Sequence, residues 1–190
     1  MTIENLAADT DTFTSNVYLI DEKTLIDAGS GESIVNAVPD DLSFVVITHS
    51  HDDHIDNLEA IIEMTNATVF AYNPDALPVD ANRITDGDSL RLGPHQFSIY
   101  HTPGHKDDSI CLYRKDHKQL FSGDLIFPDG SFGRTDLDEG DRDTLIESIE
   151  RITALDVAEL YPGHDEPTTI EVNEQIEQSL AEARKHEPKY

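Results

Sequence analysis

Residues 44–54 read Phe44-Val45-Val46-Ile47-Thr48-His49-Ser50-His51-Asp52-Asp53-His54. The first five form a continuous apolar and β-branched run of strand length, the pattern of a strand buried on both faces. That strand leads directly into three imidazoles and two carboxylates within six positions. Alternate side chains at a strand end bring His49 and His51 together, while the turn into a following helix aims Asp53 and His54 at a neighbouring point. Two adjacent metal sites are the expected result. Nitrogen and oxygen donors without thiolate suit zinc, iron or manganese and leave a coordination position open for chemistry. Asp52 reads as a helix-capping acid.

Outward from this cluster the chain alternates strands and helices. From His54 to Met64 the residues Ile55, Leu58, Ile61 and Ile62 recur at helical spacing, and Ala67 to Tyr72 is again a strand. Upstream, Phe13 to Ile20 and Thr24 to Ala28 read as a hairpin turning at Asp21-Glu22-Lys23, followed by a short helix from Ser33 to Val38. Downstream, Ser89 to Leu92, Gln96 to His101, Ser109 to Tyr113 and Gln119 to Ser122 are strands separated by Gly, Pro and Asp turns. Asp143 to Leu155 is helical, Ala158 to Tyr161 a last strand, and Val172 to His186 a closing helix with Arg184, Lys185 and His186 in its final turn, as the helix dipole favours. The fold class is α/β. With no repeats or low-complexity linker, residues 1–190 read as one domain with a short C-terminal helix.

Three later segments end in the same chemistry as the cluster: Thr102-Pro103-Gly104-His105, Ser122-Gly123-Asp124 and Tyr161-Pro162-Gly163-His164. Each places a ligand type after a strand, with a glycine before it that lets the backbone turn sharply or approach a metal closely. The spacings are 51 residues from His54 to His105, then 19 and then 40.

Composition limits the partners. The 190 residues carry 13 Lys+Arg against 39 Asp+Glu, a formal net charge of −26, yet 37% are hydrophobic, enough for a packed core. The acids are spread along the chain, from Asp9 and Asp11 to Asp138 and Asp141, and do not gather in a tail. At molar salt, where the Debye length falls to about 3 Å, such self-repulsion is screened, so the composition resembles that of halophilic archaeal proteins. It argues weakly against a nucleic-acid partner, which needs a basic footprint. A single cysteine, Cys111, allows no intrachain disulfide. No basic segment with an apolar run opens the sequence, and nowhere are about 18 apolar residues contiguous, so a cytoplasmic protein without membrane contact is expected.

The ligand types in this order, each in its flanking sequence, resemble the metallo-β-lactamase superfamily, whose H-x-H-x-D-H motif stands here as His49, His51, Asp53 and His54. The resemblance covers roughly Thr12 to Ile170 and implies a four-layer αββα sandwich. It further implies one metal held by His49, His51 and His105, a second by Asp53, His54 and His164, and Asp124 bridging both. Two divalent cations, zinc foremost with iron or manganese as alternatives, would acidify a bridging water to hydroxide that attacks an activated carbonyl, with Asp53 orienting it and passing on its proton. Ser122-Gly123-Asp124 followed by Gly133-Arg134-Thr135-Asp136 looks like the glyoxalase II branch, which acts on thioesters of a small thiol. There a basic residue contacts the glutathione portion of the substrate, and Arg134 is the residue here for that contact. Glyoxalase II also carries a helical C-terminal domain, whereas 26 residues follow His164, enough for one helix.

Other residues keep two readings. Asp27, at the hairpin's end, either holds the metal loop through backbone amides or forms a turn. His101 either orients His105 or another ligand, or is a half-buried strand residue. Arg134, among Asp136, Asp138 and Asp141, is either a substrate contact or a local ion pair. Cys111 reads as a core thiol, and His95, His117 and His186 as surface histidines. A small-molecule thioester or related ester is the leading substrate. The alternatives are a mononuclear iron persulfide dioxygenase using His49, His105 and Asp124, a metal-dependent nuclease or phosphodiesterase, and a noncatalytic module that kept the fold.

Overall fold

A computed structural model describes residues 2–8 and 10–185. His186, expected at the protein surface and as the end of the closing helix, lies outside the described residues, as does Asp9. The chain divides into two compact units, residues 1–85 with 91–95, and residues 86–90 with 96–190.

The first unit is built on a six-stranded sheet whose strands follow chain order: β1 (Ile3–Asn5), β2 (Tyr18–Ile20), β3 (Thr24–Ile26), β4 (Phe44–Val46), β5 (Thr68–Ala71) and β6 (Asn82–Arg83). β1, β2 and β3 pair antiparallel, and β3 to β6 run parallel. Helices α1 (Glu32–Ala37), α2 (Asp52–Ile55) and α3 (Leu58–Thr65) supply the crossovers. Leu25, Val45 and Val69 pack with Ile34, Leu58 and Ile61 in one apolar cluster. Ile26 and Val46, which alternate with them, are buried as well. These strands are therefore covered on both sides, as their unbroken apolar runs predict.

Three expectations change here. The strand predicted from Phe13 begins only at Tyr18; the Ser15 amide donates to the Asp53 carbonyl at 3.1 Å, and Phe13 is exposed. Residues 13–17 thus brace the histidine loop. The single helix expected from His54 to Met64 is two helices, because the Asn57 amide donates to the Gly29 carbonyl at 3.0 Å and not into a helical turn. The Asn57 side chain confirms the break by donating to the Ala28 and Gly31 carbonyls. His95, expected at the surface, is buried, with Nε2 2.6 Å from Asp21 Oδ2.

The second sheet has the order β11-β10-β9-β8-β7, with β7 (Ser89–Leu92), β8 (His95–His101), β9 (Ile110–Arg114), β10 (Gln119–Gly123) and β11 (Glu159–Pro162). β8, β9 and β10 pair antiparallel, while β10 and β11 are parallel. Helices α4 (Arg142–Ile152) and α5 (Val172–Lys185) close the second core, where Leu145, Ile149, Ile176 and Leu180 join Cys111, Leu120 and Leu160. Burial raises the Cys111 thiol to about 12, so it stays a neutral core side chain, as expected. Asp141 caps α4, its carboxylate accepting from the Thr144 amide at 2.7 Å.

Candidate metal centre

In the first unit, β4 ends at Val46 and the chain reaches α2 in five residues, Ile47 to His51. His51 is the N-cap of α2, and Asp52 and Asp53 occupy its first turn, where the helix dipole favours acids. A ring nitrogen of His49 lies within 4.8 Å of one on His51 and of one on His54, and Asp53 offers a carboxylate oxygen within the same distance of His54. His49 and His54 are buried; His51 and Asp53 are partly exposed.

Buried Asp27 organises this cluster. Its Oδ1 accepts the Thr48 amide at 2.7 Å, and its Oδ2 accepts the Thr48 hydroxyl at 2.8 Å. The same Oδ2 lies 2.9 Å from His54 Nδ1. A carboxylate accepts, so Nδ1 of His54 carries the proton and Nε2 is left as the donor to a cation. The Thr48 hydroxyl spends its hydrogen on Asp27 and faces His49 Nδ1 at 3.2 Å as an acceptor. That fixes His49 in the same tautomer. Asp27 thus bonds the loop through the Thr48 backbone amide and also orients the His54 imidazole. Thr48 escaped that reading, although a threonine directly before His49 at a strand end was a usable signal.

The second unit gathers its ligand types from three segments. β10 and β11 run side by side, and the Gly163 amide donates to the Gly123 carbonyl at 2.8 Å. Asp124 and His164, each the next residue, leave the two parallel strands together. His105 enters from the turn after β8. Gly104 there has φ +126°, and a Cβ on it would lie 2.3 Å from the Leu145 amide nitrogen. Only glycine lets this turn press against the first part of α4. The turn is held further by the Ser148 hydroxyl on the Pro103 carbonyl at 2.7 Å and the Asp141 amide on the Gly104 carbonyl at 2.8 Å.

Nε2 of His105 lies 3.4 Å from Asp124 Oδ2, and Nε2 of His164 lies 3.5 Å from the same oxygen. These exceed the usual 2.7–3.2 Å of an N–H···O bond. They match ligands sharing a cation: bonds of about 2.0–2.1 Å in a tetrahedron put neighbouring ligand atoms about 3.3 Å apart. Nδ1 of His105 lies 2.8 Å from the Arg134 carbonyl, which can only accept, so this ring too presents Nε2.

The Arg134 guanidinium is bidentate on Asp136, at 2.7 and 2.8 Å, on an exposed surface. His101 Nε2 donates to the Asp107 carbonyl at 2.7 Å, fastening the loop that carries His105. Cys111 faces Thr102 and the Ser122 carbonyl inside the core.

The family model described as the metallo-beta-lactamase superfamily matches residues 10–80 and 73–164. A hydroxyacylglutathione hydrolase of Francisella tularensis subsp. novicida is 35% identical over 126 residues, 65% of this chain and 50% of that protein. The chain therefore spans about half the length of such curated relatives. Among solved structures, the BLEG-1 B3 metallo-beta-lactamase superposes with a TM-score of 0.77 at 26% identity, covering 95% of this chain and 97% of its own. ETHE1 from Myxococcus xanthus gives 0.76 at 27% identity, covering 100% and 93%. Mixed sheets flanked by helices, histidine and aspartate at the strand ends, and these likenesses lead to one conclusion: the chain belongs to the metallo-β-lactamase superfamily and has its α/β sandwich fold.

Proposed function

We propose that residues 1–190 act as one metallohydrolase of the glyoxalase II type, cleaving a thioester or related small ester with two divalent ions, zinc foremost. His49, His51 and His105 would hold one ion, Asp53, His54 and His164 the other, and Asp124 both. The observation that carries the reading is the preset donor chemistry. His54 and His105 each have Nδ1 bound to an acceptor and Nε2 left for a cation, and Asp124 Oδ2 sits at ligand spacing from two imidazoles. The donors are nitrogen and oxygen alone, which fits zinc, iron or manganese at catalytic sites.

When bound, such ions acidify water and polarise a carbonyl oxygen. The protein's own residues supply orientation. Asp27 and Thr48 hold two imidazoles in one tautomer, and Asp53, in the first turn of α2, is the carboxylate that would accept a proton from water and return it to the leaving group. A thiolate leaves with little acid assistance, so the site needs no further general acid for a thioester. The 35% identity to a hydroxyacylglutathione hydrolase supports this class of substrate.

The test is hydrolysis of a panel of acyl-thiols by protein loaded with zinc, iron or manganese in molar potassium chloride, where the −26 charge is screened. Turnover abolished by a chelator and restored by metal is expected. No turnover across the panel defeats the thioester assignment. Likeness to ETHE1 keeps a second reading, a single iron on His49, His105 and Asp124 acting on a persulfide. About one iron per chain and oxygen uptake with a low-molecular-weight persulfide would establish it, and two zincs per chain would remove it.

A further inference from the structure

The Gly133-Arg134-Thr135-Asp136 stretch, whose Arg134 side chain pairs with Asp136, meets His105 and Asp124 through its main chain. After Asp124 the chain makes a closed excursion. Ile126 and Phe132 form an antiparallel bridge, and the Gly133 amide returns to the Leu125 carbonyl at 3.2 Å. Gly133 is thereby pressed onto two of this unit's three candidate ligands, Asp124 and His105. A Cβ built on it would lie 1.9 Å from the Asp124 carbonyl oxygen and 3.1 Å from His105 Cβ. The first value is far inside contact distance, and the neighbour is backbone, which cannot swing away. One residue on, the Arg134 carbonyl holds His105 Nδ1 at 2.8 Å.

The excursion is braced from α5. Ser179 Oγ donates to the Ser131 carbonyl at 2.9 Å, and Gln175 Oε1 accepts the Asp129 amide at 3.0 Å. At its other end the Arg134 guanidinium pairs with Asp136, two residues on.

We infer that residues 125–136 are a ligand-positioning arm: Gly133 sets Asp124 by having no side chain, Arg134 sets His105 through its main-chain carbonyl, and α5 holds the arm in place. The Arg134 guanidinium serves the arm through Asp136 and not the substrate. This inference rests on the metal-binding part of the proposed function and is independent of which bond is cleaved.

Equilibrium competition with a chromophoric chelator, and the absorption spectrum of the cobalt-substituted protein, test it without substrate. Gly133→Ala should bind at least one cobalt 10–100-fold more weakly, the range for displaced outer-sphere partners, and shift the d–d bands, while the melting temperature of the metal-free protein shows that it has folded. Arg134→Ala keeps the carbonyl and loses only an exposed ion pair. It should weaken binding less than about threefold and raise KM for an acyl-thiol bearing a carboxylate by no more than that. Where Gly133→Ala does not fold, Ser179→Ala decides, with an expected severalfold loss of cobalt affinity.

Wild-type affinity and spectrum in Gly133→Ala, or in Ser179→Ala where that variant decides, overturn the arm. A tenfold KM increase in Arg134→Ala at full metal content overturns the assignment to the main chain. If the native protein binds metal, Gly133→Ala loses it and no acyl-thiol is cleaved, the hydrolase reading fails and the arm stands. Hydrolysis by the native protein with undiminished metal binding in Gly133→Ala gives the reverse.

Discussion

The two units solve one problem, the exact aiming of imidazoles and carboxylates, by opposite means. In the first, four ligand types lie within six consecutive residues at a single strand-to-helix turn, and one buried carboxylate, Asp27, bonds His54 directly and reaches His49 through Thr48. In the second, three candidate ligands 19 and 40 residues apart come from two strand ends and the turn after β8, and the bonds that hold their segments are mostly main-chain: the Arg134 carbonyl, the Gly104 turn against α4, and the Gly163 amide on Gly123. A compact motif can be oriented by one side chain. A dispersed set needs the backbone, because only packed elements bring its members to one place.

The contrast can be broken first at Asp124, whose Oδ2 lies 3.4 and 3.5 Å from two imidazoles of the second unit. Asp124→Ala should lower bound metal and any hydrolytic turnover by more than the 10–100-fold typical of outer-sphere changes, measured by metal analysis and acyl-thiol assay. A loss no larger than that from Asp27→Ala would erase the difference between a ligand and its orienter.

Asp27→Ala comes next. It strips the acceptor from three buried donors, the Thr48 amide, the Thr48 hydroxyl and His54 Nδ1. At about 1–3 kcal/mol for each orphaned group, a stability loss on the order of 3 kcal/mol or more is expected in chemical denaturation. Asp27→Asn, which keeps an acceptor, should lose less.

For the second unit the matching backbone test is Gly104→Ala. A positive φ costs a non-glycine residue about 1–3 kcal/mol, and the clash with the Leu145 amide adds to it. Gly87→Ala, with φ +80° and open space around it, isolates the conformational part. The difference between the two in thermal or urea denaturation measures how tightly α4 grips the His105 turn; no difference would show that the grip is slack.

The smallest effect concerns Asp86 and Arg151, which tie the start of the second unit to α4. Arg151 hydrogen bonds hold the Asp86 carboxyl below its usual range. Because the folded value is depressed, the stabilisation is present above the unfolded pKa and is lost as pH falls through the folded one. Both side chains are about half exposed, so Arg151→Ala should cost under about 1 kcal/mol at pH 7. That deficit should fade as the pH falls below the ordinary carboxylate range; a deficit independent of pH would assign the contact to packing of Arg151 over the Tyr100 ring.

What could be read in advance follows the same division. The cluster from His49 to His54 was legible because its spacing is local and its density is unusual for a solvated loop. The strand Phe44–Val46 and the helical periodicity of α4 were legible for the same reason. The break between α2 and α3 was not, since Ile55, Leu58, Ile61 and Ile62 keep helical spacing through it, and it is made by a carbonyl at Gly29. His95 was misplaced because its partner, Asp21, is 74 residues away. Arg134 drew attention for its guanidinium, whereas what meets the His105 ring is its carbonyl, which every residue type has.

Residue identity and short-range order were thus sufficient for the family and the α/β class, because donor chemistry and hydrophobic period are properties of side chains and their immediate neighbours. The tautomers of His54 and His105, the packing of Gly133 on Asp124 and the bracing of that turn by α5 belong to the folded chain alone. They are contacts between segments far apart in sequence, several of them made by backbone atoms, and the one-dimensional pattern carries no record of which carbonyl will meet which ring.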